Sequence, residues 1–164
     1  MKNQALLVAY FSRTGNTRVL AQQVHRMAGG DLFEIVPLKP YPADYDAVVD
    51  QARDELDRDF RPALKTAAPA MGPFTTVLVG YPNWWGTIPR PVATFLSEHN
   101  LAGKTIAPFC THGGGGMGRS VAEIRALCPD STVPDGLAVP GGSVNRAENA
   151  VAGWLMKIGI PPRT

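Results

Sequence analysis

The stretch Tyr10-Phe11-Ser12-Arg13-Thr14-Gly15-Asn16-Thr17-Arg18 constrains this chain more than any other. It joins an apolar run, Ala5-Leu6-Leu7-Val8-Ala9, to a helix-like segment from Val19 to Met27 through a turn of hydroxyls, an amide and a glycine. At a strand-to-helix junction the first backbone N–H groups of the helix lack intrahelical partners, and the helix dipole adds partial positive charge, so an anion is favoured there. Ser12, Thr14, Thr17 and Asn16 can add side-chain donors, and Gly15 permits a backbone turn that a Cβ would obstruct. The natural occupant is a phosphate monoester. Thr14 or Asn16 could instead simply cap a helix, but a cap needs one such side chain and this turn carries four. G-x-x-x-x-G-K-[ST] is absent, which argues against a nucleoside triphosphate.

Further along, apolar runs alternate with amphipathic segments. Gly29-Gly30 closes the first helix, and Asp31 to Val36 reads as a second strand. From Asp44 a 3.6-residue period places Tyr45, Val48, Val49, Ala52 and Leu56 on one face, with Asp50, Arg53, Asp54 and Asp57 on the other. The acidic group Asp54, Glu55, Asp57 and Asp59 is interleaved with Arg53, Arg58 and Arg61, so it reads as a solvated helix face rather than a metal site. Thr75 to Gly80 is a strand buried on both sides, and Pro89 opens a helix running to about Glu98. Thr105 to Cys110 and Thr132 to Val139 are the remaining strands. Arg119 to Leu127 and Arg146 to Ile158 are the remaining helices, the last burying Ala150, Val151, Trp154, Leu155 and Ile158. The alternation βαβαβαβαβα specifies an α/β fold, a parallel sheet with helices on both faces, in one domain over residues 1–164.

Two later loops fall at strand ends where the first turn also lies. Tyr81-Pro82-Asn83-Trp84-Trp85-Gly86-Thr87-Ile88-Pro89 sets two tryptophans in a loop, where they either pack beneath it or lie along a flat ligand. Thr111-His112-Gly113-Gly114-Gly115-Gly116-Met117-Gly118 carries five glycines, which let backbone approach a ligand at an entropic cost. Its match to G-x-G-x-x-G lies outside the first βαβ unit, so a dinucleotide fingerprint is not supported. His112-Gly113-Gly114-Gly115 imitates a lipase oxyanion loop, yet no G-x-S-x-G nucleophile exists in the chain. His25, His99 and His112 sit on different elements without metal-ligand spacing, so no metal is expected.

The string Phe11-Ser12-Arg13-Thr14-Gly15-Asn16-Thr17 resembles the phosphate loop of the flavodoxin family, whose members bind FMN, and the two later loops and the chain length agree. That resemblance implies a flavodoxin-like doubly wound sheet of five strands in the order 2-1-3-4-5, the order for which that family is the standard example, with ligand beyond the strands' carboxyl ends. The short fifth-strand region implies a short-chain form. The implied FMN-binding residues are Ser12, Arg13, Thr14, Gly15, Asn16 and Thr17 in the first loop and Pro82, Asn83, Trp84, Trp85 and Gly86 in the second. Thr111, His112, Gly113, Gly114 and Gly118 complete the set in the third. In related proteins the second loop offers backbone N–H groups to the flavin, an expectation that falls on Asn83, Trp84, Trp85 and Gly86. With no lysine nearby, the flavin is expected to have a low potential. Tyr41, Tyr45 and His112 are the candidate proton donors, and no catalytic residue is identified.

Composition narrows the function classes. The 164 residues are 45% hydrophobic and 18% charged, an ordinary globular balance, and no apolar run approaches the ~18 residues of a membrane span. Lys2 precedes a short apolar run, but a phosphate-type turn follows where a signal cleavage site would stand, so a mature cytoplasmic protein is expected. A net charge of +2 with scattered basic residues gives nucleic acid no groove. Cys110 and Cys128 suit neither a disulfide framework nor a redox pair and read as small buried hydrophobes. Three functions fit: an electron carrier passing electrons to a redox partner protein, an oxidoreductase taking hydride from NAD(P)H to a quinone or similar small acceptor, and a non-catalytic FMN-binding module. The near-neutral charge departs from the acidic surface typical of carriers. Either a monomer or a homodimer is compatible with these readings.

Overall fold

The structure, a computed structural model, describes residues 5–163, so Lys2 lies outside them. Its elements are β1 (Leu6–Tyr10), α1 (Asn16–Ala28), β2 (Asp31–Glu34), α2 (Tyr45–Asp57), β3 (Thr76–Pro82), α3 (Arg90–Glu98), β4 (Thr105–His112), α4 (Ser120–Leu127), β5 (Leu137–Pro140) and α5 (Glu148–Lys157), with a 3-10 segment at Gly141–Arg146. All four strand pairings are parallel and the order is β2-β1-β3-β4-β5, as the resemblance implied. Alternating residues of the central strands feed two cores. Leu7, Ala9, Val77, Val79, Tyr81 and Ile106 face Val92, Phe95, Leu96 and Ile124 of α3 and α4, whereas Val8, Leu78 and Phe109 face Leu20, Val24, Val151, Trp154 and Leu155 of α1 and α5. Among the described residues, no helix is long and apolar enough to cross a membrane.

Several boundaries differ from the sequence-based reading. Helix α1 starts at Asn16 rather than Val19 because Gly15, with φ +107°, turns the chain straight into it. The cap comes from behind: Ser12 Oγ accepts from the N–H groups of Gly15 and Arg18, both at 3.2 Å. Strands β3 and β4 run two residues beyond the expected Gly80 and Cys110, so Pro82, Thr111 and His112 are strand residues. The expected strand over Thr132 to Val139 is broken. Thr132 makes only an isolated bridge to Thr105, and β5 begins at Leu137. Ile106 N–H donates to Thr132 O; two residues on, Pro108 has no N–H to offer that same edge, and Pro134 lies in the gap.

Helix faces also moved. On α2, Val48, Ala52 and Glu55 are buried, whereas Tyr45 is 69% exposed and Val49 and Leu56 are only partly covered. Glu55 is therefore no part of a solvated acidic face. It is buried because Tyr41 Oη (2.6 Å) and Gln51 Nε2 (3.1 Å) donate to its carboxylate. The remaining acids do pair on the surface, Arg53 with Asp57 and Arg58 with Asp54. On α5, Ala150 is exposed and Ile158 half-buried, and Ile160 beyond the helix takes the buried position.

Candidate functional site

At the carboxyl ends of β1, β3 and β4 the three loops meet around a cleft of about 570 Å³. One end is the turn at residues 12–17. Two of its side chains are already engaged: Ser12 in the cap, and Thr17, buried, whose Oγ1 lies 2.8 Å from Thr111 Oγ1. Thr14 and Asn16 are exposed. Among the described residues, the N–H groups of Arg13, Thr14, Asn16 and Thr17 make no hydrogen bond within the protein. Among the described residues, Arg13 is the one charged side chain lining the cleft, and its guanidinium donates to Ala43 O at 2.8 Å, tying the turn to the start of α2. Free N–H donors, a cation and, among the described residues, no lining carboxylate suit this end to an anion.

The other end is aromatic. Trp84 and Thr87 exchange backbone hydrogen bonds (3.1 and 3.2 Å) around Trp85 at φ +56° and Gly86 at φ +79°, the left-handed pair of a type I′ turn. Glycine accepts that conformation freely, and tryptophan adopts it only under constraint. Trp84 is half-buried and packs edge-on against Phe11 and Tyr41, with centroids 5.2 and 5.0 Å away. Trp85 is 43% exposed; its Nε1–H donates to Val49 O at 2.9 Å and the Arg53 guanidinium stacks on its ring at 4.8 Å. Both rings line the cleft, but Trp84 also packs against the core as a satellite of it, whereas Trp85 stands exposed at the cleft surface.

Hydrogen bonding redistributes the roles expected of the second loop. Asn83 N–H donates to Thr111 O, Trp84 N–H to Thr87 O, and Gly86 N–H to Asn83 Oδ1. Asn83 Nδ2 donates to Gly116 O at 2.7 Å, so this side chain joins the second and third loops. Among the described residues, Trp85 alone of residues 83–86 has a backbone N–H without a protein partner. Gly118 lies outside the cleft lining; a Cβ on it would stand 2.3 Å from Gly86 O, so it is the glycine that lets the third loop lie against the second. Gly15 is likewise outside the lining and supplies the turn.

His112 Nδ1 accepts from Gly114 N–H at 2.9 Å, which leaves Nε2 as the protonated nitrogen of the neutral ring. A side cavity of about 290 Å³ adjoins the cleft here, sharing Asn83, His112 and Gly113 with it and lined further by Gly86, Gly114 and Gly115. Tyr45 lines the main cleft, but Tyr41 does not. Burial and the hydrogen bond to Glu55 hold the Tyr41 proton far above the ordinary phenol range, and its hydroxyl is spent on Glu55 rather than turned to the cleft. Burial also pushes the Cys110 thiol up to about 12 and raises Cys128, leaving both as unreactive core residues.

Sequence reading missed five lining residues: Val48, Val49 and Ala52 on α2, and Gly141 and Gly142 after β5. A Cβ on Gly141 would come within 2.8 Å of Asn16 Nδ2. The Gly-Gly pair directly after a strand was the available signal for the last two; nothing marked α2 as a cleft wall rather than a sheet cover.

The sequence model of the family described as Flavodoxin matches residues 5–158. Among solved structures, a candidate flavoprotein from Bacteroides eggerthii shares 34% identity, covering 96% of this chain and 99% of its own, with a TM-score of 0.85. One from Bacteroides uniformis shares 30% identity over 94% and 99%, with a TM-score of 0.83. A flavoprotein from Lactobacillus acidophilus in complex with FMN shares 21% identity over 88% and 98%, with a TM-score of 0.71. No curated protein matches this chain.

Proposed function

This chain belongs to the flavodoxin family, with FMN as its cofactor, and from that premise we propose that it holds FMN in the cleft and transfers electrons through it. The observation that carries the reading is the continuity of one cleft from free N–H donors at residues 13–17 to the aromatic turn at residues 84–87. A phosphate belongs at the first end and a flat ring at the second. The N–H groups of Thr14, Asn16 and Thr17, with the Thr14 and Asn16 side chains, would hold the phosphate. Trp85, Tyr45 and Val49 would wall the ring, and the Trp85 N–H and His112 Nε2–H are the donors left free to meet its polar edge. Bound FMN supplies a ring that accepts and returns electrons, which no side chain here can do. The chain's own part is to orient that ring and limit what reaches it.

The proposed flavin has a low potential, as expected from sequence: the cations near the aromatic turn are paired with carboxylates, Arg53, which stacks on Trp85, with Asp57, and Arg90, behind the same turn, with Glu123 and Asp59.

The small-acceptor reading gains support from the side cavity beside His112, which has room for a small molecule next to the main cleft. Two measurements separate the alternatives. Titration with FMN and riboflavin, followed by flavin fluorescence, should show both binding and FMN binding more tightly; binding of neither overturns the cofactor assignment for this cleft. Anaerobic addition of NADPH or NADH to the loaded protein should bleach the flavin absorbance rapidly if a hydride-taking enzyme is at work. Absence of bleaching, with reduction by dithionite in two resolved steps, points to a carrier serving a protein partner.

A further inference from the structure

Behind the aromatic turn, away from the cleft, lies a buried ion pair that the cofactor contacts leave unexplained. Arg90, first residue of α3, is 3% exposed. Its Nη2 donates to Glu123 Oε2 of α4 at 2.6 Å and to Ile88 O at 3.2 Å, and its Nη1 donates to Asp59 Oδ1 at 3.1 Å. Glu123 spends its other oxygen, Oε1, on the hydroxyl of Thr87. Thr87, fully buried, closes the turn by exchanging both backbone hydrogen bonds with Trp84. A continuous chain of bonded groups thus runs from α3 through α4 to the turn that carries Trp85.

The arrangement is costly as packing. Arg90 Nε is buried without a partner among the described residues, and an apolar side chain in its place would avoid the desolvation of a guanidinium. Asp59 is 64% exposed, so its share is screened by solvent, and Glu123 is the partner that matters. What the pair holds is a turn with a tryptophan in the left-handed region, a conformation that persists only where the surroundings over-determine it. Thr87 is fixed from below by Glu123, and Gly86 from the sides by Asn83 Oδ1 and by Arg119 N–H on its carbonyl.

We propose that Arg90, Glu123 and Thr87 are positioning residues, which set the Trp84–Thr87 turn in the place where Trp85 and its free N–H receive the flavin ring. This rests on the FMN reading of the cleft. It implies that loosening the network weakens binding of the ring and leaves the phosphate end untouched.

The test uses the full chain and its Thr87→Val, Thr87→Ser and Glu123→Gln variants, each titrated with riboflavin and with FMN. Visible circular dichroism of the bound flavin and a thermal melt are recorded alongside. Thr87→Val keeps the ion pair and the side-chain volume and removes only the hydroxyl, so it remains informative if Glu123→Gln folds poorly. Both variants should raise Kd for riboflavin and FMN by the same factor, about tenfold for loss of one charge-assisted bond. The flavin dichroism should change with them, and Thr87→Ser, which keeps the hydroxyl, should behave like the parent. Unchanged affinities and dichroism in Thr87→Val, even with a lowered Tm, would mean a purely structural pair and overturn the proposal. So would a Thr87→Ser variant as weak as Thr87→Val. If the parent binds neither flavin, the cofactor reading fails first, and this inference with it.

Discussion

The two ends of the cleft are built on opposite plans. The phosphate end is made almost entirely from consecutive residues, 12–17, and most of its donors are backbone groups left free because a helix begins there. The ring end is assembled from the ends of β3 and β4, one face of α2 and a brace from α3 and α4. The first is a consequence of local geometry and asks little of the rest of the molecule. The second exists only if distant segments are packed correctly, so it should be the easier end to break and the end that sets what this protein does with its flavin.

The largest expected effect lies within the tryptophan pair. Trp84→Ala removes a ring packed against Phe11 and Tyr41 and should cost about 3 kcal/mol of stability, measured by urea denaturation. Trp85→Gly loses one hydrogen bond and one stacked guanidinium. It also relieves a left-handed strain of about 1–2 kcal/mol, so its stability should stay within about 1 kcal/mol of the parent while riboflavin binding falls sharply. Equal stability losses in the two variants would erase the distinction between a ring that carries packing and one that does not.

The next effect tests the joint between the ends. Thr17→Val leaves the buried Thr111 hydroxyl without its 2.8 Å partner and should cost about 1–3 kcal/mol. Thr17→Val with Thr111→Val should recover most of that loss, because no buried hydroxyl then remains. A double variant as unstable as the sum of the two single ones would show that the pair is not coupled.

A smaller effect separates the phosphate end from the ring end. Ser12→Ala removes the oxygen that accepts from Gly15 and Arg18, costing about 1 kcal/mol of stability. It should weaken FMN binding while riboflavin binding holds, the reverse of the pattern expected for Thr87→Val. Parallel losses for both ligands would mean that the two ends do not act separately.

A last effect is a pH dependence of the sheet beneath both ends. Burial holds the Cys110 thiol protonated up to about 12, against an ordinary value of 9.0. Its raised value contributes stability that is complete below pH 9 and is lost as pH rises from there towards 12, because the unfolded thiol ionises first. Urea midpoints should therefore fall between about pH 8 and pH 10.5, and fall less steeply in Cys110→Ala. An identical slope in that variant would assign the alkaline loss elsewhere.

Much of this was legible in the residues. Alternating apolar and amphipathic stretches specify a parallel α/β sheet because a strand covered on both faces must be apolar throughout, and the donor-rich turn at residues 12–17 was visible because its groups are sequence neighbours. The strand order came from family resemblance, since alternation alone leaves it open. What could not be read were features in which a residue answers to a distant partner. Glu55 looked like one of several surface acids and is buried because Tyr41 and Gln51 satisfy it. The fifth strand looked continuous and is broken opposite Pro108, on the neighbouring strand.

The sequence by itself determined the class of fold, the donor-rich turn at residues 12–17 and the three loops that meet at the strand ends, because each depends on backbone geometry and periodicity over a few residues. Only the tertiary structure decided that Trp84 packs against Phe11 and Tyr41 while Trp85 stands exposed, that α2 forms a wall of the cleft, and that Arg90 and Glu123 stand behind the turn. Those outcomes depend on side chains far apart in the chain competing for the same buried space and the same hydrogen-bond partners, and that competition is settled only when the sheet has closed.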